Sequence, residues 1–125
     1  MESYNKKIGN FGEKIARDYL LDKGYKILGG NIQLGHKELD IVASCGDVLV
    51  FFEVKTRTSE RFGSADGAMS VRKTGEIKQA ISRFLVRAER AGFLGKFGDI
   101  RLDFISVDID KVCKTAKVKH YKDVG

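Results

Sequence analysis

The chain has no proline, only two cysteines and no long apolar run. Its longest apolar stretch, residues 48–52, is far shorter than the roughly 20 residues of a membrane-spanning helix. Residues 1–11 lack the apolar core of a secretory signal. Cys45 and Cys113 are far apart in the sequence and form no metal-ligand cluster. We therefore expect a cytoplasmic protein with reduced thiols and no membrane partner. The lack of proline suggests no particular function.

What is present is typical of one globular domain. The chain has 125 residues, of which 42% are hydrophobic and 32% charged, and residues 1–125 are expected to form a single domain that folds without a metal or disulfide. The net charge of +6 and the pI near 9.4 are compatible with a polyanionic partner such as nucleic acid, without requiring one.

Hydrophobic periodicity predicts seven elements. A helix over residues 5–23 has an apolar stripe of Ile8, Phe11, Ile15 and Tyr19. Strands are predicted over residues 25–28 (extended by 31–34), 38–44, 48–55, 100–109 and 117–121, and a second helix over residues 70–91. The order helix, three strands, helix, two strands indicates an α/β fold with a central mixed sheet of about five strands flanked by two main helices.

The second helix and its flanks contain basic residues of open role. Its predicted buried stripe is Ile77, Ile81, Phe84 and Ala88, with Ser70 as N-cap. Lys73 lies on the inward side, so it either snorkels outward or reaches a phosphate. The polar loop over residues 56–67 contains Arg57 and Arg61 and is long enough to contact a substrate. Lysines in the last predicted strand suit a sheet edge.

The hairpin of residues 38–57 places charges inside an apolar strand. Glu53 and Lys55 interrupt the run that begins at Val48. If Gly46 and Asp47 are a two-residue loop, Asp40 lies opposite Glu53, with Cβ atoms roughly 5 Å apart. Two carboxylates at that distance repel by about 3 kcal/mol. A divalent cation would offset that repulsion, which indicates a metal site with an ammonium beside it.

Alternative interpretations of these residues remain open. Glu53 and Lys55 could form a structural ion pair, with Asp40 in solvent. Glu38, two residues from Asp40, either joins the acidic cluster or ends the strand in solvent. Glu13 lies near the Ala16 flank of the first helix, where a solvated glutamate is the simpler interpretation.

The sequence resembles the bacterial YraN-like family, which by fold and motif belongs with the PD-(D/E)xK nuclease superfamily and is close to archaeal Holliday-junction resolvases. The resemblance covers residues 8–107. It is carried by these motifs: Gly12-Glu13, Asn31, Glu38-Leu39-Asp40-Ile41-Val42, Phe52-Glu53-Val54-Lys55-Thr56-Arg57, Phe62-Gly63, Lys73 and Arg101-Leu102-Asp103-Phe104-Ile105. It implies a restriction-endonuclease-like core.

The resemblance also implies roles for individual residues. Asp40 and Glu53 would be catalytic metal ligands, together with the Val54 backbone carbonyl. Lys55 matches the motif lysine, and Glu13 matches a helix glutamate presented to the same site. Leu39 replaces the motif's proline.

The implied activity is Mg²⁺- or Mn²⁺-dependent hydrolysis of DNA phosphodiesters. Branched or junction DNA is the substrate to test, with Arg57, Lys73 and Arg61 contacting flanking phosphates. Resolvase-like relatives act as dimers, so a homodimer is an arrangement to test. The alternatives are a DNA-binding or repair scaffold that keeps the nuclease fold without catalysis, and an interaction protein with a buried ion-pair network.

Overall fold

The computed structural model describes residues 4–58 and 71–125. The elements, in chain order, are α1 (Tyr4–Asp22), β1 (Lys26–Leu34), β2 (Lys37–Cys45), β3 (Val48–Thr58), α2 (Val71–Arg90), a 3₁₀ turn (Leu94–Lys96), β4 (Asp99–Asp110) and β5 (Thr115–Tyr121). The predicted α/β class and element order are confirmed. The sequence pattern did not predict the 3₁₀ turn, and β3 continues to Thr58, so the loop predicted from residue 56 begins later. No helix within the described ranges is long and apolar enough to cross a membrane.

One mixed sheet organises the domain. Its strand order is β1-β2-β3-β4-β5, and only the β3–β4 pair is parallel. A parallel pair needs a crossover connection, and α2 lies in the segment between β3 and β4. The β2–β3 hairpin pairs Cys45 with Val48 and continues in the same register to Ile41 with Phe52, with Gly46 at φ 60° in the turn. This confirms the two-residue loop predicted for the hairpin.

The sheet separates two hydrophobic clusters. The α1-side cluster includes Ala16, Leu20, Ile41, Ala43, Val50, Phe52, Ile105 and Val107. The α2-side cluster includes Leu34, Leu39, Val42, Leu49, Phe51, Ile77, Ala80 and Leu102. Apolar side chains on both faces explain why the strands are apolar almost throughout, as is typical of a sheet covered on both sides.

The predicted apolar stripe of α1 is partly wrong. Phe11 is 52% exposed, whereas Ala16 and Leu20 are fully buried. A Cβ on Gly12 would overlap the Thr56 side chain, so the helix approaches β3 through its small residues. The flank that contains Gly12 and Ala16 is therefore the inward side, and Glu13 lies next to it.

The predicted stripe of α2 is confirmed. Ile77, Ala80, Ile81 and Ala88 are buried, and Phe84 packs against the α2-side cluster. The Ser70 N-cap and the Phe62-Gly63 motif lie outside the described residues.

Candidate metal centre

The centre forms where β2 departs from regular strand geometry. Leu39 packs in the α2-side cluster and Ile41 in the α1-side cluster. Residues two apart on a regular strand face the same side of a sheet, so the alternation breaks between them, at Asp40. On β1, Asn31 lies level with Asp40 and has φ 52°, a left-handed conformation that asparagine tolerates. The irregular positions on the two strands, Asp40 on β2 and Asn31 on β1, are thus both polar residues.

Asp40 lies where the β2–β3 ladder stops. The last paired residues are Ile41 and Phe52. One residue further, Asp40 Oδ2 accepts a hydrogen bond from the Val54 backbone N–H at 2.8 Å. The carboxylate therefore accepts the hydrogen bond that a backbone carbonyl of β2 would accept if the ladder continued. Asp40 is only 9% exposed. Val54 thus meets the centre through its N–H.

Three carboxylates converge at this point. One oxygen each of Glu13, Glu38 and Asp40 lie within 4.8 Å of one another. Glu13 comes from α1, and the other two come from β2. With the Asn31 amide turned so that its nitrogen faces the acids, it donates to Glu13 Oε1 at 2.7 Å and to Glu38 Oε1 at 3.1 Å. These donated hydrogen bonds hold both glutamates in place.

The electrostatics of the cluster oppose ionisation. Burial raises the pKa of Asp40 to about 7, helped by the negative charges of Glu53 and Glu13 and opposed by the Val54 N–H and by Lys37. Burial and the charge of Glu38 likewise raise the pKa of Glu13. Among the described residues, these carboxylates thus lie together with only partial compensation of their negative charge. Strongly perturbed groups of this kind mark candidate functional sites.

Glu53 borders this cluster and is paired with an unexpected lysine. Its carboxylate is almost buried, and its charge contributes to the raised pKa values of Asp40 and Glu13. Lys37 Nζ lies 3.3 Å from Glu53 Oε2. Lys55, which the motif places beside Glu53, is exposed. Within residues 4–58 and 74–125, the ammonium that contacts Glu53 is that of Lys37.

The predicted phosphate-contacting residues have different outcomes. Arg57 donates to Asp108 Oδ1 from Nε at 3.1 Å and from Nη2 at 2.9 Å, and its side chain is 12% exposed. It is therefore held inside the domain by an ion pair, unlike the flanking phosphate contact expected for it. Arg61 and the side chain of Lys73 lie outside the described residues.

The donor set fits a hard divalent cation. All the converging groups are carboxylates, and oxygen ligands from a few carboxylates are what Mg²⁺ binds, with its remaining positions left to water and substrate. A cation would also offset the burial and the repulsion from Glu53 and Glu13 that raise the pKa of Asp40. The converging group contains Glu38 and Glu13 beside Asp40, whereas the sequence pattern emphasised Asp40 and Glu53.

Three residues of the centre had no firm role in the sequence interpretation. Glu38 is two residues from Asp40, and that spacing was the available signal. Asn31 follows Gly29-Gly30, which suggests irregular backbone but no partner. Lys37 occurs in a predicted turn, and its contact depends on how β2 and β3 diverge. No sequence signal identified it.

Comparisons with known proteins agree on one family. The sequence model of "Uncharacterised protein family UPF0102" matches residues 12–107. A UPF0102 protein of Syntrophomonas wolfei is 41% identical over 106 residues, which are 85% of this chain and 88% of that protein. One from Alkaliphilus oremlandii is 36% identical over 119 residues, covering 95% and 97% of the two chains. One from Clostridium tetani is 34% identical over 110 residues, covering 88% and 90%. These matches confirm the family to which the sequence motifs pointed.

Proposed function

Because the chain belongs to the UPF0102 family, whose name specifies no reaction, we propose its function from its acidic centre: metal-dependent hydrolysis of phosphodiester bonds in DNA. The observation that carries the proposal is the convergence of Glu13, Glu38 and Asp40 within 4.8 Å beside Glu53, with Asp40 and Glu53 nearly buried and the other two half-buried. The resemblance to PD-(D/E)xK nucleases supports the same reaction class. The cofactor we propose is Mg²⁺, with Mn²⁺ as a substitute.

The carboxylates would hold the cation, and the surrounding groups fix their positions. The Val54 N–H orients Asp40, and the Asn31 amide orients Glu13 and Glu38. Hydrogen bonds of this kind commonly orient metal ligands and are needed for full affinity. A bound Mg²⁺ would supply Lewis-acid stabilisation of phosphate charge and an activated water.

The two lysines have separate roles in this proposal. Lys37 balances part of the charge of Glu53 and keeps that side chain in place. Lys55, exposed on β3, is available to a phosphate that approaches from solvent and would neutralise charge developing there. An ordinary lysine is a poor base at neutral pH, so Lys55 is assigned an electrostatic role.

We propose that substrate choice depends on DNA shape. Contacts to phosphates position a strand but read no sequence, and a net charge of +6 favours such contacts. Branched, flap and single-stranded DNA are the substrates to compare. Binding should weaken strongly between low and physiological salt.

The experiment is a cleavage screen on these DNA structures with Mg²⁺, Mn²⁺ or EDTA. Cleavage should require a divalent ion and should fall at least about 100-fold in Asp40→Ala and Glu13→Gln, since both alter the cation's ligands. Asp18→Ala is the matched control, because Asp18 is an exposed carboxylate of α1 paired only with Lys14 among described ion pairs. Cleavage that survives in Asp40→Ala would indicate a contaminating nuclease and contradict the proposal.

A non-catalytic DNA-binding module is the second candidate. The Lys37–Glu53 ion pair favours it, because a neutralised Glu53 is less available to a cation. Calorimetry with Mg²⁺ and Mn²⁺ separates the two functions. Branched-DNA binding without metal binding would support the module and contradict the nuclease. Size-exclusion chromatography with and without branched DNA tests the proposed homodimer.

A further inference from the structure

A polar cavity borders the metal centre at Lys37. It has a volume of about 340 Å³ and lies between the β1–β2 turn and α2. Its apolar floor is Leu34 and Ala80. Its polar lining comes from His36, Lys37, Glu76, Gln79 and Arg83. Of these lining residues, only Lys37 has a role in the function proposed above, as the partner of Glu53.

Arg83 is seated in the cavity by the shape of the β1–β2 turn. A Cβ on Gly35 would overlap the Arg83 guanidinium, and Gly35 has φ 68°. Gln33 Nε2 donates to the Gly35 carbonyl at 2.8 Å, which ties the turn to β1. The absence of a side chain at Gly35 thus gives the guanidinium its place.

Lys37 connects the cavity to the metal centre. It lines the cavity, and its Nζ lies 3.3 Å from Glu53 Oε2. Glu53 in turn is close enough to Asp40 to raise its pKa. A DNA strand with a phosphate at the carboxylates would therefore have the Lys37 side chain between that phosphate and the cavity.

We propose that this cavity binds an internal phosphate of the DNA strand next to the phosphodiester held at the metal centre, with Arg83 and Lys37 as its cationic ligands and Gln79 as a further donor. Arg83 and Lys37 are permanent cations that line the cavity together with the carboxylate of Glu76, and Lys37 is shared with Glu53 at the border of the metal centre. An internal phosphodiester carries one negative charge, whereas inorganic phosphate at pH 8 carries nearly two. Because these cations also face the carboxylates of Glu76 and Glu53, a phosphate with one negative charge suits the cavity better than one with two.

This proposal rests on the proposed function only for the position of the strand, because binding can be measured without catalysis. The assay is fluorescence anisotropy with a labelled single-stranded oligonucleotide in EDTA, over a range of salt concentrations. Arg83→Gln removes the guanidinium at an exposed position, so the fold should persist. Arg90→Gln is the matched control, since Arg90 is an exposed arginine of the same helix that does not line the cavity.

We expect Arg83→Gln to weaken strand binding about tenfold and to lower the slope of log affinity against log salt by about 0.7, the loss of one single-strand phosphate contact. Arg90→Gln should change affinity by less than about threefold. Gly35→Ala is the second variant, because it displaces the guanidinium without changing the charge. It should weaken binding as Arg83→Gln does, provided that circular dichroism shows it folded.

Equal affinities for Arg83→Gln and Arg90→Gln would overturn the inference. So would competition by millimolar inorganic phosphate that removes the Arg83 effect, since that result would identify a free-phosphate site. Arg83-dependent binding without any metal-dependent cleavage would leave the cavity assigned and contradict the nuclease. Cleavage that is lost in Asp40→Ala but unaffected in Arg83→Gln at limiting substrate would support the nuclease and contradict the assignment of the cavity.

Discussion

Asp40 and Asp103 are both buried carboxylates of the same sheet, yet their environments act on them in opposite directions. Asp40 is 9% exposed and its pKa rises to about 7. Asp103 is fully buried, and although burial alone would raise its pKa, hydrogen bonds from His120, Arg101 and the Asp123 N–H lower it overall. Burial by itself therefore does not decide how a carboxylate behaves.

The environment of Asp103 is fully compensated. Arg101 donates to Asp103 Oδ1 from Nε at 2.8 Å and to Oδ2 from Nη2 at 2.9 Å. His120 Nε2 lies 2.7 Å from Oδ2, and the Asp123 N–H donates to Oδ1 at 2.9 Å. These contacts tie β4 to β5 and to the C-terminal residues. Asp103 is thus a structural carboxylate.

The described residues around Asp40 compensate its charge only in part. Its closest ionisable neighbours include Glu53 and Glu13, and the cation that acts on it, Lys37, is paired with Glu53. Such an arrangement costs stability unless a cation binds, and proteins retain such costs mainly at functional sites. The contrast separates the sheet's structural carboxylate from the one we assign to metal binding.

Replacing Asp103 should have the largest effect on stability. Asp103→Asn leaves Arg101 and His120 facing a neutral amide in the interior, so the free energy of unfolding should fall by about 3–5 kcal/mol at pH 7. The folded pKa of Asp103 is lowered, so its contribution is present above the unfolded value near 4 and is lost as the pH falls below it. Urea titrations at pH 7 and pH 3.5 test this, and an equal loss at both would contradict the compensation argument.

Replacing Asp40 should have the opposite sign. Because the folded pKa is raised, stability is lost as the pH rises from about 4 to about 7, where the folded protein binds more protons than the unfolded chain. Asp40→Asn removes that loss and can still accept from the Val54 N–H. In EDTA it should raise the free energy of unfolding by about 4 kcal/mol at pH 8 and by little at pH 4.

The control for Asp40→Asn is Asp18→Asn, which should stay within about 0.5 kcal/mol of the parent because the Lys14–Asp18 pair is exposed. A loss of stability in Asp40→Asn at pH 8 would mean that the carboxylate is compensated after all. Addition of Mg²⁺ should stabilise the parent protein and not Asp40→Asn.

Periodicity predicted the fold well because the sheet is buried on both faces. The hairpin register followed from Gly46-Asp47, and the structure confirms it to Ile41–Phe52. The α1 stripe was less accurate, because a hydrophobic pattern weights Phe11 above Gly12. The close contact of Gly12 with Thr56 depends on how α1 packs against β3, which a hydrophobic pattern does not show.

The candidate centre was only partly predictable. Asp40 and Glu53 could be brought together by register, since register depends on a local turn. The breaks at Asn31 and Asp40 could not, because they appear only when the cluster membership of Leu39 and Ile41 is known. The motif predicts Lys55 beside Glu53 because the two residues share a strand, whereas Lys37 reaches Glu53 from the neighbouring strand β2.

Replacing Gly12, where α1 packs against β3, should have a moderate effect on both stability and metal binding. Gly12→Ala places a methyl group against Thr56, and overpacking of this kind costs about 1–3 kcal/mol. Because Glu13 is the next residue, metal affinity measured by calorimetry should fall as well. Gly9→Ala is the control, since nothing lies near a Cβ there. A Gly12→Ala protein with parental stability and metal affinity would contradict this packing of α1 against β3.

The smallest effect should distinguish the two lysines at the border of the centre. Lys37→Met removes one ion-pair partner of a nearly buried Glu53, so the metal-free protein should lose about 1 kcal/mol of stability, while Lys55→Met should stay within about 0.5 kcal/mol. The same change makes the centre more negative, so Mn²⁺ affinity should rise in Lys37→Met and change less in Lys55→Met. A fall in Mn²⁺ affinity would mean that Lys37 positions the ligands more than it opposes the cation. In that case the surroundings of both Asp40 and Asp103 would depend on a basic side chain for their positions. The two sites would then be more alike in structure than the opposite directions of their pKa shifts indicate.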